Sequence, residues 1–314
     1  MASPIIEGIL SRDLKSISKA ISVIERNDSE SDKLFSLVFP HIKNRSHKIG
    51  ITGPPGAGKS TLVNCLINRA RTDGLSIATI GVDPSSPFTG GAILGDRIRM
   101  QDHVVDSDVF IRSMASRKNV GGVSDTTNKV GMVLDAAGYD MILFETVGVG
   151  QLETNIMEIS DTVLVVLVPE SGDSIQMMKA GLLEISDIFV VNKSDRPGSE
   201  KICTSLKNLI GDGASKDEWS PLVCMTEAIR AKGIDELFES IASHKKFLDK
   251  TESRHENDTR QYRKYIDELL IREFQETFWS KSRVDILSNE LSKDHKNRKS
   301  PYDLFQILNS NEQG

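Results

Sequence analysis

The chain has 314 residues, of which 38% are hydrophobic and 27% charged, and its formal net charge is -6. This composition predicts a soluble globular protein, and the acidic balance gives no reason to expect a nucleic acid partner. The longest apolar run, residues 162–168, is far too short to span a membrane. Three widely separated cysteines exclude a cysteine-based zinc site. Together with an N-terminus unlike a signal or transit peptide, they favour a cytoplasmic protein.

Residues 1–45 are expected to form an N-terminal helical segment. Apolar residues recur there at helical spacing in two stripes, which would face a core. The stripes are Leu14, Ile17, Ala20, Ile21 and Ile24, followed by Leu34, Phe35, Leu37 and Val38. His41 and His47 come next, in a polar connector, and are expected to be solvated rather than to bind a metal.

The stretch GPPGAGKST, residues 53–61, matches the phosphate-binding pattern G-x-x-x-x-G-K-[ST]. A short β-branched run precedes it and an apolar helical pattern follows it. Glycines let backbone N–H groups approach an anion, and a helix N-terminus favours negative charge. Lys59 would reach the β- and γ-phosphates of a nucleotide, and the Ser60 hydroxyl would bind Mg²⁺. The predicted phosphate site is Gly53, Pro54, Pro55, Gly56, Ala57, Gly58, Lys59, Ser60 and Thr61.

Strand-like and helix-like segments alternate from residue 47 to residue 226, within a predicted nucleotide-binding domain of residues 46–248. Several of the strand candidates are continuously apolar, as strands covered on both faces are. The pattern predicts an α/β fold of the P-loop NTPase type, with a doubly wound, mainly parallel sheet flanked by helices. Ligands of such sheets bind at the carboxyl ends of the strands. The candidates are KIGIT, LSIATIGV, DVFIRSM, DMILFET, TVLVVLV, DIFVVNK and PLVCMT.

The stretch NKSD at the end of a predicted strand indicates which base is bound. The Asp195 carboxylate can accept hydrogen bonds from both N1–H and the exocyclic amine of guanine. Adenine has no donor at N1 and would leave the carboxylate partly unpaired, which costs about 1–3 kcal/mol. Lys193 can lie over the base and Asn192 can brace the loop. The sequence therefore predicts GTP rather than ATP.

A third base-side segment, Thr226, Glu227 and Ala228, follows the last predicted strand. Its backbone N–H groups are expected to contact the guanine oxygen. A carboxylate at residue 227 would be unfavourable near that oxygen unless it points away.

Three carboxylates are candidate ligands of Mg²⁺, which prefers oxygen. Asp83 and Glu145 each lie at the end of a predicted strand, and Asp96 lies in a Gly-rich segment. With Ser60 they would hold the ion that assists phosphoryl transfer to water. Lys59, Asp83 and Glu145 are accordingly the predicted catalytic residues of GTP hydrolysis.

The chain after residue 233 is predicted to be helical again, and residues 249–314 form a C-terminal helical extension. The extension carries an apolar stripe at helical spacing. The stripe either packs on the chain's own GTPase domain or forms a dimer surface, and the sequence favours neither. It consists of Tyr265, Ile266, Leu269, Leu270, Phe274 and Phe278.

Five motifs follow one another in the order GPPGAGKST, VDPSSPFTGGAILGDRIRM, ETVGVGQ, GDSIQMMKAGLLEISDI and NKSD. This order closely resembles the MeaB/ArgK/MMAA family, which are P-loop GTPases of the SIMIBI class. The resemblance covers most of the chain. It implies a chaperone of an adenosylcobalamin-dependent acyl-CoA mutase, with methylmalonyl-CoA mutase as the default client. GTP hydrolysis would gate delivery of adenosylcobalamin and help to remove damaged cobalamin.

The resemblance also implies a homodimer formed through the C-terminal helices. Residues 172–188 resemble an extra switch of the family that responds to the mutase, with Asp173, Gln176 and Lys179 as signalling residues. Lys179 could supply positive charge to the transition state. The Mg²⁺ and switch acids of the family correspond to Asp83, Asp96 and Glu145, beside Ser60.

The chain departs from the family pattern at Lys118, Leu152 and Glu227. A dimeric nucleotide-binding scaffold with negligible turnover therefore stays open as an alternative. A nickel metallochaperone GTPase is a second, although it would need a Cys/His cluster that the sequence does not show. A kinase that phosphorylates a transport protein, an old label of the ArgK branch, is a third.

Overall fold

The structure is a computed structural model that describes residues 4–310 except 44, 85–105, 117–121, 147–157, 171–184, 212–218 and 252. Contacts between residues divide the chain into two units, Met1–Asp258 and Thr259–Gly314. No helix within the described residues is long and apolar enough to cross a membrane.

The first unit is built on a seven-stranded sheet with the strand order β3-β2-β4-β1-β5-β6-β7. Every described pairing between these strands is parallel. The predicted strands and the predicted fold class are thus confirmed. The strands are β1 (His47–Thr52), β2 (Ile77–Pro84), β3 (Val109–Ser116), β4 (Met141–Thr146), β5 (Thr162–Leu167), β6 (Ile188–Val191) and β7 (Leu222–Met225).

Strand β1 lies at the centre of the sheet, between β4 and β5. Ile51 near its carboxyl end is opposite Glu145 of β4, and Glu145 is also opposite Gly81 of β2. The strand order changes direction at this point, which is where open α/β sheets bind ligands. The segments that follow β1 and β4 therefore start side by side.

Helices cover both faces of the sheet. One face packs against the N-terminal helices and α5, and the other packs against α4 and α7, with α6 over β5 and β6. The helices are α1 (Pro4–Leu10), α2 (Leu14–Ile24), α3 (Ser29–Val38), α4 (Lys59–Thr72), α5 (Gly122–Ala136), α6 (Ser199–Ile210), α7 (Ile234–Thr251), α8 (Ser253–Phe278), α9 (Lys281–Leu291) and α10 (Pro301–Ser310).

The N-terminal segment is helical as predicted, and Asp13 caps α2 by accepting a hydrogen bond from the Ser16 backbone N–H at 2.8 Å. The prediction for the stripe of α2 is confirmed at Ile17, Ala20, Ile21 and Ile24, which are buried, and is wrong for Leu14, which is exposed in the first turn. In α3 the prediction for Leu37 is wrong, since Leu37 is exposed. The buried face of α3 is centred on Leu34 and Val38, and at 100° per residue Leu37 lies away from it.

A buried polar group lies where β1 and β5 begin. His47 is the first residue of β1 and is buried, so the prediction that it is solvated is wrong. Its Nε2 is 2.7 Å from the Thr162 hydroxyl oxygen, which is also 2.8 Å from Nδ1 of His244 on α7. Nε2 of His244 faces Asp187 Oδ1 at 3.4 Å. Asp187 in turn accepts a hydrogen bond from the Val163 backbone N–H at 2.7 Å.

The second unit has its own buried cation. Arg283 of α9 donates from Nε to the Leu308 carbonyl and from Nη1 to the Phe278 carbonyl, both at 2.8 Å. These bonds hold the end of α8, α9 and α10 together. Leu270 and Phe274 of the predicted α8 stripe are exposed.

Candidate functional site

The phosphate loop between β1 and α4 needs its glycines for two reasons. Gly53, Gly56 and Gly58 all have positive φ angles, of 139°, 77° and 90°. A Cβ at Gly53 would lie 2.1 Å from the Val166 carbonyl oxygen, and one at Gly58 would lie 2.5 Å from Asn192 Nδ2. A Cβ at Gly56 would meet nothing within 4 Å. Close packing thus requires glycine at two positions, while Gly56 borders open space.

The first turn of α4 begins directly after this loop, at Lys59. Its N-cap residue is Gly58, which has no side chain to cap the helix. Backbone N–H groups at such an end attract anions. The Lys59 ammonium is buried and donates to the carbonyl oxygens of Gly53 at 2.7 Å and Pro54 at 3.0 Å. The loop therefore holds its own cation in a fixed place.

Ser60 and Glu145 meet across the sheet edge. The Ser60 hydroxyl donates to Oε1 of Glu145 at 2.7 Å, and Glu145 is buried. Both were predicted as Mg²⁺ ligands, and both offer the oxygen atoms that Mg²⁺ prefers. The backbone of Asp83 lies in β2, paired with β3, whereas Asp96 lies outside the described residues.

Asn192 joins the base side of the site to the phosphate loop. Its Nδ2 donates to the Ala57 carbonyl at 2.8 Å. Its Oδ1 accepts from the Thr226 hydroxyl at 3.1 Å and from the Ala228 backbone N–H at 3.2 Å. The structure thus brings three of the predicted segments together around one buried side chain. Asp195 is exposed two residues after the bend at Lys193, whose φ is 55°.

The backbone N–H groups of the third base-side segment all have partners within the chain. Thr226 N–H donates to the Val191 carbonyl at 2.9 Å, and Glu227 N–H donates to the Lys232 carbonyl at 3.0 Å. Ala228 N–H donates to Asn192, as described above. Of the three bonds, that of Ala228 is the longest and the only one to a side chain.

Two contacts of this segment are not foreseen by its sequence pattern. The Glu227 carboxylate contacts Nη1 of Arg230 at 2.6 Å and Nζ of Lys232 at 3.3 Å. The Ala228 carbonyl accepts from Cys65 Sγ at 3.1 Å. The contact of Glu227 with its two cations could have been expected from their close spacing in the sequence. Nothing in the sequence indicates the contact between Cys65 and Ala228.

The predicted switch residues Asp173, Gln176 and Lys179 lie outside the described residues. Within the described part of the chain, no three His, Cys, Asp or Glu side chains are grouped so that they could hold a metal ion.

Comparison with known proteins gives the family. A family model described as "Methylmalonyl Co-A mutase-associated GTPase MeaB" matches residues 17–283. A putative GTPase of Pyrococcus horikoshii is 47% identical over 250 residues, covering 79% of this chain and 78% of that protein. The GTPase ArgK of Escherichia coli is 36% identical over 242 residues, covering 74% of this chain and 72% of that protein.

A solved structure agrees with these relatives. The crystal structure of an LAO/AO transport system kinase matches with a TM-score of 0.70 at 26% sequence identity, covering 99% of this chain and 97% of that one. The resemblance seen in the motifs is thus confirmed over most of the chain. The chain belongs to the MeaB family of GTPases, and as such it binds guanine nucleotides and hydrolyses GTP.

Proposed function

We propose that this GTPase is a chaperone of a B12-dependent acyl-CoA mutase. It would gate the loading of adenosylcobalamin and protect or reactivate the mutase, with methylmalonyl-CoA mutase as the first client to test. One observation carries the proposal, namely the match of residues 17–283 to a family described as associated with that mutase. No cobalamin-binding D-x-H-x-x-G motif occurs in the sequence, so contact with the cofactor would occur through the partner.

The nucleotide's phosphates would be held by the segment from Gly53 to Thr61, which comprises the phosphate loop and the first residues of α4. The open space at Gly56 and the fixed ammonium of Lys59 support this placement. Guanine would lie beside Asn192, Lys193 and Asp195, on the side that the Asn192 amide joins to the phosphate loop.

Mg²⁺ fits the oxygen atoms of Ser60 and Glu145, which lie 2.7 Å apart. Asp83 and Asp96 would complete the set of ligands. The ion would supply positive charge to the phosphate oxygens, and these residues would fix its place. The Ser60 hydroxyl would give up its bond to Glu145 to bind the ion.

Communication with the mutase would involve Asp173, Gln176 and Lys179. We also propose that the chain has three parts, residues 1–45, 46–248 and 249–314. The third part would form a homodimer. The exposed apolar side chains of α8 support a dimer surface.

The test is GTP turnover by the purified protein, alone and with a candidate mutase, at the same Mg²⁺ concentration. We expect slow basal turnover that rises strongly with the mutase. Lys59→Ala should abolish both rates, because it removes the cation of the phosphate loop. Lys207→Ala, which changes an exposed lysine of α6, is the matched control and should keep both. Turnover that no acyl-CoA mutase changes would contradict the chaperone function and leave the GTPase intact.

A kinase is the second candidate, since the solved relative is described as a transport system kinase. GTP labelled at the γ-phosphate separates the two reactions. Label released as inorganic phosphate in the presence of the mutase supports hydrolysis, and label on a protein acceptor supports the kinase.

A further inference from the structure

The loop that follows β7 closes on itself. Glu227 N–H donates to the Lys232 carbonyl at 3.0 Å, and Lys232 N–H donates back to the Glu227 carbonyl at 3.3 Å. The Glu227 carbonyl also accepts from Arg230 N–H at 2.9 Å. The loop then returns at Gly233, whose φ is 71° and where a Cβ would lie 2.1 Å from the Met225 carbonyl oxygen. Residues 227–233 thus form a tight turn with little freedom to change shape.

A carboxylate lies inside this turn. Glu227 is 7% exposed, and its two oxygens face Arg230 Nη1 at 2.6 Å and Lys232 Nζ at 3.3 Å. Both cations belong to exposed residues. A buried carboxylate is costly unless it is paired, so the two cations are what make an acid tolerable here. Charge-assisted bonds of this kind also fix geometry more firmly than neutral ones.

The neighbours of Glu227 on each side are bound to the base-side residue Asn192. The Thr226 hydroxyl and the Ala228 N–H both donate to Asn192 Oδ1, and the Thr226 carbonyl accepts from Ser194 N–H at 3.0 Å. A shift of Glu227 would therefore move the atoms that hold Asn192 and the NKSD turn. The carboxylate has no hydrogen to donate, so it cannot itself bind the guanine oxygen.

We propose that Glu227 is a positioning residue for the guanine base. By binding Arg230 and Lys232 it holds Thr226 and Ala228 in place, and they hold Asn192. The loop is then already ordered before the base binds, so less of the binding free energy of GDP is lost to ordering it. This inference rests on the proposed placement of guanine beside Asn192 and Asp195.

The first test is Glu227→Gln, which keeps the shape of the side chain and removes its charge. We expect GDP affinity to fall about tenfold, because the two ion pairs are replaced by weaker contacts with a neutral amide, whose NH2 group cannot accept from a cation, and the turn loosens. The affinity for inorganic tripolyphosphate should stay within about twofold, because this probe has no base and uses only the phosphate loop. Glu239→Gln, which removes the same charge from the exposed face of α7, is the control and should change neither affinity.

The second test asks whether Glu227 acts through its cations. Arg230→Gln with Lys232→Gln should lower GDP affinity by a similar factor. Adding Glu227→Gln to that pair should then have little further effect, because coupled residues are not additive. A further tenfold loss would overturn the proposed route through the cations.

Two other results would overturn the inference. GDP affinity unchanged in Glu227→Gln would show that the carboxylate does not position the base. An equal loss of tripolyphosphate affinity would show a general defect of the fold. The variant Asp195→Asn distinguishes a failure of the role of Glu227 from an incorrect placement of the guanine base. If that variant still prefers guanine, the placement of the base fails, whereas a shift to xanthine with unchanged GDP affinity in Glu227→Gln rejects Glu227 alone.

Discussion

The side-chain amide of Asn192 donates to the carbonyl oxygen of Ala57 at 2.8 Å. This bond connects the segment after β6 with the phosphate loop after β1. The other end of the amide accepts from Thr226 and Ala228 after β7. One buried side chain therefore couples the base side of the site to its phosphate side.

Asn192→Ala should lower GDP affinity about 10- to 100-fold. The change leaves three buried groups without their partner, so the segments on the base side and the phosphate side are no longer held together, and part of the binding free energy is lost to ordering them when GDP binds. Titration calorimetry with GDP measures the effect. Asn208→Ala on the exposed face of α6 is the control. Affinity within twofold of the original would show that the coupling is not needed for binding.

Gly58→Ala should reduce GDP binding far more than Gly56→Ala. Both positions have positive φ, so both variants carry backbone strain. Only at Gly58 would the new Cβ strike Asn192 Nδ2, at 2.5 Å. The extra loss should therefore shrink when Asn192→Ala is already present. Equal losses in the two glycine variants would assign the effect to strain alone.

Asp195→Asn should move base preference from guanine toward xanthine. The substitution exchanges an acceptor for a group that can donate, and xanthine carries an oxygen where guanine carries its amine. The ratio of GDP to XDP dissociation constants is the measurement, with Asp285→Asn on the exposed face of α9 as the control. Preference for guanine retained in full would show that NKSD does not read the base.

Glu145→Gln should slow Mg²⁺-dependent GTP hydrolysis about 100-fold or more while changing GDP affinity little. The amide can still accept from the Ser60 hydroxyl, so the local shape is kept, but the negative charge facing the ion is lost. Two measurements separate an effect on hydrolysis from an effect on binding. They are single-turnover rates over a range of Mg²⁺ concentrations and the affinity for GDP when a chelator has removed Mg²⁺. Parallel losses of both would indicate a structural role.

Asp187, which is partly buried, and His244, which is buried, form a pair at the amino ends of the strands and predict a pH effect on stability. Burial raises the pKa of Asp187 to about 7, opposed by the Val163 hydrogen bond, and burial lowers the pKa of His244 to about 4. The raised pKa of Asp187 adds stability below pH 3.8 that is lost as the pH rises to about 7. The lowered pKa of His244 adds stability above pH 6.5 that is lost as the pH falls to about 4. Between these limits, the two groups change the free energy of unfolding in opposite directions as the pH falls.

Asp187→Asn should remove the contribution of Asp187 to the pH dependence of the free energy of unfolding. The free energy of unfolding of the variant should then fall more steeply than that of the original protein between pH 6.5 and pH 4.5. The difference should be on the order of 2 kcal/mol, allowing for screening of a side chain that is 28% exposed. Urea unfolding at the two pH values measures it. The same difference between the proteins at both pH values would contradict the assigned pKa of Asp187.

The sequence predicted the strands, the sheet class and the loops at the strand ends, because those depend on local periodicity and on short motifs. The partners of polar side chains depend on the order of strands in space. Asn192 reaches Ala57 only because β5 places β6 near β1, and His47 is buried only because β1 is central. The exposure of Leu37 also depends on tertiary packing, since the periodicity of α3 fits more than one buried face.

The Thr162 hydroxyl oxygen lies within hydrogen-bonding distance of one nitrogen of His47 and one nitrogen of His244. A hydroxyl has a single hydrogen, so at most one of these nitrogens can accept from it. At least one ring must therefore carry its own hydrogen on the nitrogen that faces Thr162. When both rings are neutral, the tautomer of one ring thus restricts that of the other. Strands β1 and β5 and helix α7 thereby share one ordered set of protons at the end of β1 opposite the phosphate loop.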